Sequence, residues 1–238
     1  MSKNTPNVAI IMAAYNVQKY IEKAIKSVLI DSYENKKLFV YNDGSSDNTY
    51  KNIPCSKEYS LIAFDGEVNK GLSYGRNFLI NQAWNWADYF LILDGDDQFI
   101  GTNKITEMVN VAQTSDLIGV VYCDYQNWNE KTGEIVREYK RGFSRHELCQ
   151  SCILSDSGTL VSKKAYAAVG PYDESLKVGM DYDMWLRISE KFLIYHLPKC
   201  LTQVTIRSGS LSSSPENSQI WRNNIGRVYE KLRERQNS

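Results

Sequence analysis

Three carboxylates stand within four residues at Asp94-Gly95-Asp96-Asp97, directly after the apolar run Tyr89 to Leu93. Charges that close repel, and the repulsion is relieved when a divalent cation with hard oxygen ligands sits among them. A solvated Asp-Gly turn is the plainer account of the same residues. Position decides between the two, because a turn that follows a buried strand of a parallel sheet opens into the ligand crevice at the strand's carboxyl end. A second acidic loop, Asn42-Asp43-Gly44-Ser45-Ser46-Asp47, also follows an apolar run. Asp43 is therefore expected in the same crevice, where a carboxylate can accept the imide N–H of a uracil ring. Asp47 is expected to cap a helix starting near Asn48. Asn69-Lys70-Gly71, with Ser73, Arg76 and Asn77, adds a flexible loop and a cation at a helix start, a place suited to phosphate.

His146, Cys149, Cys152, His196 and Cys200 could in principle ligate zinc, but their spacing fits no standard site and buried thiols are the preferred reading. Five cysteines, an odd number at low density, suit reduced thiols in a cytoplasmic protein better than a disulfide framework. Lys plus Arg and Asp plus Glu both number 28, so no global field recruits nucleic acid or an anionic membrane. Apolar stretches such as Val8 to Ala14 fall far short of the roughly 20 residues that span a bilayer, and neither a membrane span nor a signal peptide is expected. No Gly-x-Gly-x-x-Gly or Walker loop is present, which argues against dinucleotide redox chemistry and ATP hydrolysis.

The elements that position these loops follow from periodicity. Val8 to Ala14 reads as a strand buried on both faces, and Tyr20, Ile21, Ala24, Ile25, Val28 and Leu29 as a helix with Asn16 as its cap. Strands are expected at Leu38 to Tyr41, Ser60 to Phe64 and Tyr89 to Leu93, with a helix through Phe78, Leu79, Ala83 and Trp84. Strands alternating with helices imply an α/β fold, a mostly parallel sheet covered on both faces. Beyond Tyr125 the alternation breaks down. Glu130 to Gly133 reads as a hairpin turn, and Leu160 to Val169 and Asp183 to Lys191 as helical or mixed segments.

Taken in order, V-A-I-I-M-A-A-Y-N, N-D-G-S-S-D, N-K-G-L-S-Y-G-R-N and L-D-G-D-D resemble the nucleotide-sugar half of the inverting family-2 glycosyltransferases of GT-A fold. G-P-Y-D-E-S-L and M-D-Y-D-M-W-L-R resemble that family's acceptor-side segments, so the likeness covers roughly residues 7 to 212. It implies one continuous domain: a nucleotide-sugar half (1–115), an acceptor half with the catalytic base (116–215) and a C-terminal amphipathic helix (216–238). It implies that Tyr15, Asn16 and Asp43 contact uridine, that Arg76 lies near the base or diphosphate beside the Asn69–Gly71 loop, and that Asp94 holds ribose or a metal-bound water. Asp96, with Asp97 beside it, would bind Mn²⁺ or Mg²⁺, and Asp181 matches the family's general base. The implied reaction is non-processive transfer from a UDP-sugar to a hydroxyl of a glycan or lipid-linked glycan, forming a β-linkage. An Asp of ordinary pKa, about 3.9, is a weak base and would take the proton late.

Departures from the family pattern carry their own expectations. Met180 stands where a Glu often precedes the base, and Asn42 replaces a frequent Asp. In Val204 to Ser212, Arg207 stands where the family often has a His that helps bind metal or diphosphate. A guanidinium cannot ligate a cation but can clamp phosphate, so Arg207 is expected to supplement the metal. Asp183 and Arg187, at i and i+4, are expected to form a surface ion pair, and Trp185 to be core or an acceptor platform. The tail stripe Trp221, Ile225, Val228 and Leu232 could lie on a membrane, or pack on its own core or a second copy of the chain. A nucleotide-sugar-binding scaffold without turnover is the alternative function, and a nucleotidyltransferase is disfavoured by the absence of a Gly-rich phosphate loop after the first strand.

Overall fold

The strand β1 (Val8–Ala14) is buried at every position and forms the centre of the architecture. Its side chains alternate between two cores. Ala9 and Ile11 enter one with Phe39, Phe90 and Ile92, while Val8, Ile10, Met12 and Ala14 enter the other with Leu38, Val40 and Leu91. A sheet hydrophobic on both faces has to be covered on both, giving a helix–sheet–helix sandwich. The computed structural model describes residues 5–54, 60–210 and 218–237.

In chain order the elements after β1 are α1 (Ile21–Leu29), β2 (Lys36–Asn42), β3 (Leu61–Asp65), α2 (Leu72–Ala83), β4 (Tyr89–Ile92), β5 (Gln98–Phe99) and α3 (Lys104–Ala112). The second half contains β6 (Ile118–Asn129), β7 (Ile135–Glu138), α4 (Arg145–Leu148), β8 (Leu160–Ser162), α5 (Lys163–Val169), α6 (Met180–Ser189), β9 (Leu193–Ile206) and α7 (Ser218–Asn237). The sheet order is β3-β2-β1-β4-β8-β6-β9-β5, with β7 paired to β6. β3, β2, β1 and β4 are parallel, β8 runs antiparallel to both its neighbours, and β6 and β9 are again parallel. The expected α/β class and the hairpin turn at Glu130–Gly133 are present, the latter closed by Gly133 N–H donating to Asn129 O at 2.8 Å.

Local details differ from the sequence reading for identifiable reasons. Asn16 does not cap α1. Tyr20 occupies that position without a side-chain bond, and Asn16 sits in the left-handed region at φ 51°. The helix expected near Asn48 is a single 3₁₀ turn, Tyr50–Asn52; Asp47 accepts Thr49 N–H (2.9 Å) and Gln18 N–H (3.2 Å) and so ties two loops together. Asp183 and Arg187 do pair, at 2.9 Å, but as a buried pair: Asp183 is 2% exposed and also faces Arg235 at 3.6 Å. Trp185 is core.

The stripe on α7 faces its own chain. Val228 and Leu232 are buried in the core that contains α6, and the Tyr229 ring packs edge-on to Tyr182 at 6.0 Å. Lys231 pairs with Asp173 and Arg235 with Glu190, closing the helix margins. Of the three alternatives for this stripe, packing on the protein's own core is the one seen for Ile225, Val228 and Leu232. Among the described residues no helix is long and apolar enough to cross a bilayer.

Candidate active site

Because β2, β1 and β4 are adjacent and parallel, the loops after them emerge side by side at one edge of the sheet. The loops are bonded to one another. Asp43 is buried; its Oδ1 accepts Lys70 N–H and its Oδ2 accepts Gly71 N–H, each at 2.8 Å. Gly44, at φ 65°, lets the β2 loop touch the next one: a Cβ there would lie 2.5 Å from the Val68 carbonyl carbon. Asn16 N–H donates to Ser45 Oγ (3.0 Å), and Asn16 Oδ1 accepts Ser46 N–H (2.9 Å). Tyr15 and Asn69 are exposed beside them, and Gly71, at φ 95°, occupies the N-cap of α2.

Arg76, on α2, is 2% exposed. It pairs with Asp94 at 2.7 Å and with Asp156, and its guanidinium lies over the Tyr172 ring. Arg76, expected near the base or diphosphate, is a buried counter-ion of Asp94 and Asp156. Burial alone would lower its pKa, but Asp156 and Asp94 raise it, so it stays charged. Asp156 was not anticipated. Burial, with the like charges of Asp181 and Asp94, outweighs the pull of Arg76 and pushes its carboxyl up to about 7. Asp181, in the first turn of α6, feels both Arg76 and Asp94; burial raises it above the usual carboxylate range against Arg76 and backbone hydrogen bonds. Residues from both halves thus share one electrostatic cluster.

The rest of the acidic turn is held by β9. Pairing of β5 with β9 at Gln98↔Gln203 and Phe99↔Thr202 brings the end of β9 to the turn. Thr205 N–H donates to Asp97 Oδ1 (2.8 Å) and Thr205 Oγ1 donates to the Asp96 carbonyl (2.5 Å). Arg207 Nε donates to Asp96 Oδ2 at 2.6 Å, and its guanidinium lies over the Tyr20 ring at 5.3 Å. Burial, then Asp96 and Asp94, raise Asp97 well above its ordinary value; burial and Asp94 raise Asp96 against Arg207.

Two carboxylates of the turn are engaged by protein groups. Asp97 was expected as a second ligand, but it is 3% exposed and anchors β9. Asp96 already holds a guanidinium. Among the described residues no group of three or more His, Cys, Asp or Glu is arranged to hold a metal. The two histidines lie elsewhere, His146 with Gln150 and His196 with Asp124, and among the described residues no zinc constellation forms with the cysteines.

Asp156, Ser157, Thr205 and Tyr20 were missed in the sequence. The one signal that could have found the first two is a polar Ser-Asp-Ser-Gly stretch, residues 155–158, directly before a buried apolar run. An open depression of about 700 Å³ lies at the opposite, amino-terminal end of the strands, lined by Asn7, Asp88 and Lys163 among others, and contains none of the expected site residues.

An α/β sheet whose parallel strands end in linked acidic loops, met by an aspartate from the second half, has its candidate ligand crevice at the carboxyl ends of those strands. The family model for Glycosyl transferase family 2 matches residues 9–170, and the chain belongs to that family. An uncharacterised glycosyltransferase of Rickettsia typhi is 29% identical over 82% of this chain, which spans 63% of that relative's length. Among solved structures, S. aureus TarS 1–349 in complex with UDP-GlcNAc superposes with TM-score 0.68 at 21% identity, covering 87% of this chain and 61% of TarS 1–349. Mannosyltransferase PcManGT from Pyrobaculum calidifontis, in complex with GDP-Man and Mn²⁺, gives TM-score 0.65 at 13% identity, covering 87% of this chain and 59% of the other. These likenesses establish the fold.

Proposed function

We propose that the chain transfers one sugar per encounter from a UDP-sugar to a hydroxyl of a glycan or lipid-linked glycan, with inversion to a β-linkage. One observation carries the reading: half-buried Asp181, from the second half, and half-buried Asp94, from the loop after β4, both interact electrostatically with the buried Arg76. The acceptor oxygen attacks the anomeric carbon, the bond from that carbon to the diphosphate oxygen breaks, UDP leaves and the hydroxyl proton passes to Asp181. The raised pKa of Asp181 makes it a stronger base than the ordinary aspartate assumed from sequence. UDP-GlcNAc bound to TarS supports a uridine donor, while GDP-Man on PcManGT keeps guanosine sugars as the comparison.

Mn²⁺ accompanies the donor in PcManGT, and a divalent ion was expected on Asp96 here. No step of this reading passes through it, since Asp96 is engaged by Arg207. The free thiols Cys123, Cys149, Cys152 and Cys200 support a cytoplasmic setting.

A panel of UDP-glucose, UDP-galactose, their N-acetyl forms and GDP-mannose tests the proposal. We expect one uridine donor to be hydrolysed slowly to UDP without acceptor. Tight donor binding with no UDP released under any condition would instead identify a scaffold without turnover.

A further inference from the structure

We propose that the acceptor is an anionic glycan, its carboxylate or phosphate groups held by Lys140, Arg141 and Arg145 at the rim of the candidate crevice; this rests on the sugar-transfer reading above. Strand register puts these residues there. Phe90 and Leu91 of β4 pair with Val161 and Leu160 of β8, which pair in turn with Val120 and Val121 of β6. β6 therefore runs parallel to β4, and counting along the two strands brings Asp124 about level with Asp94. β9 lies along one side of β6 as far as Asn129, so β7, paired to Tyr125–Trp128, takes the other side, that of β8 and β4. β7 and the segment after it overhang the carboxyl ends of the parallel strands.

Between Glu138 and Glu147 the chain has Lys140, Arg141 and Arg145 and no carboxylate, in a protein whose formal charges sum to zero. The main chain of this segment is fastened. Lys140 N–H donates to Asp124 Oδ1 at 2.8 Å, Tyr122 Oη donates to the Arg141 carbonyl at 2.9 Å, and Tyr182 Oη, next in sequence to Asp181, donates to the Leu148 carbonyl at 2.7 Å. Its charges are left uncompensated: among the described residues none of the three cations forms an ion pair, whereas Arg76, Arg187, Arg207 and Lys231 all do. Lys140 Nζ lies over the Tyr125 ring at 4.8 Å, a contact that places the ammonium without neutralising it, and Arg141 and Arg145 are exposed. Cys152, further along the same segment, feels the charges of Asp181, Asp156 and Lys140, so the ammonium is within electrostatic reach of the proposed base. A negatively charged acceptor would be repelled by Asp94 and Asp181, and cations on a fixed backbone at the rim offset that repulsion and select for the charge. Guanidinium forks match carboxylate and phosphate oxygens alike.

Calorimetry on the full chain at low salt tests this with three probes: a tetrasaccharide of alternating glucuronate and N-acetylglucosamine, a glycerol phosphate oligomer of similar length, and the neutral N-acetylglucosamine tetrasaccharide. We expect one anionic probe to bind at least about tenfold tighter than the neutral one, which of the two separating a carboxylate from a phosphate. That advantage should shrink as salt is raised and disappear when Lys140→Gln, Arg141→Gln and Arg145→Gln are combined. Thermal unfolding verifies that the combined variant is folded; if it is not, the wild-type preference and its salt dependence decide the matter. Equal affinity for the neutral probe, no binding by either anionic probe, or an advantage that survives the combined exchange would overturn the inference. Displacement of the anionic probe by UDP would overturn it too, assigning the cations to the donor, as would binding to phosphatidylglycerol vesicles without binding to either glycan probe, which would assign them to a membrane. Release of UDP from a UDP-sugar by the wild-type chain tests the transfer reading separately, so either can fail while the other is judged on its own result.

Discussion

Asp43 holds Gly71 by its backbone: the carboxylate Oδ2 accepts the Gly71 N–H at 2.8 Å, while Oδ1 takes the N–H of Lys70 at the same distance. One buried side chain after β2 therefore fixes the start of α2. Hydrogen bonds to charged groups contribute about 1.5–3 kcal/mol each. Asp43→Ala should lower unfolding free energy by about that much or more. It should also weaken UDP binding by tenfold or more. Chemical denaturation and calorimetry check both; unchanged values would mean the loops are held by other contacts.

Asp181→Asn tests the base. Removal of a general base typically costs about 10² to 10⁴ in rate. We expect a kcat loss in that range with UDP affinity within a few-fold of wild type. Near-native turnover would transfer the role to another residue.

The pH dependence has a worked sign. Asp156 titrates near 7 in the folded protein against about 4 unfolded. The folded state therefore binds more protons between these values, and this residue's contribution to stability falls as pH rises through that window. Asp156→Asn should flatten the decline of Tm between about pH 4 and 7, the window set by these two values. Parallel Tm curves for the two proteins would remove Asp156 as its source. Since burial also raises Asp181, the acidic limb of the kcat profile should lie above the range of an exposed carboxylate.

Leu232→Ala addresses the tail. Leu232 is 4% exposed against the core that includes α6, and a buried Leu→Ala change costs about 2–5 kcal/mol. Thermal unfolding should show that loss, whereas sedimentation with anionic vesicles should be the same for both proteins. A stable variant that loses vesicle binding would revive the membrane role.

Much of the first half of the chain was legible because its signals are local. Apolar runs such as Val8 to Ala14 identify strands buried on both faces, and polar loops after them must share an edge once the strands are parallel. What escaped depends on distant pairing. Arg207 meets Asp96 only because β9 runs beside β5, and no local pattern encodes that register. Asp183 and Arg187 had the spacing of an exposed pair; α7 packing over α6 is what buries them. Asn16 looked like a cap from its residue type, but its side chain is taken by Ser46 of a neighbouring loop.

The reversed direction of β8 has its own result. Among parallel strands it is the segment following each strand that reaches the reacting edge, but for β8 it is the segment preceding it, residues 155–159. That stretch touches Arg76 and the backbone of Asp94 without belonging to the loops after β1, β2 or β4. Exchanges there would alter proton affinity around Arg76 and Asp94 while leaving the loops after β1 and β2 untouched, so the two regions can vary separately.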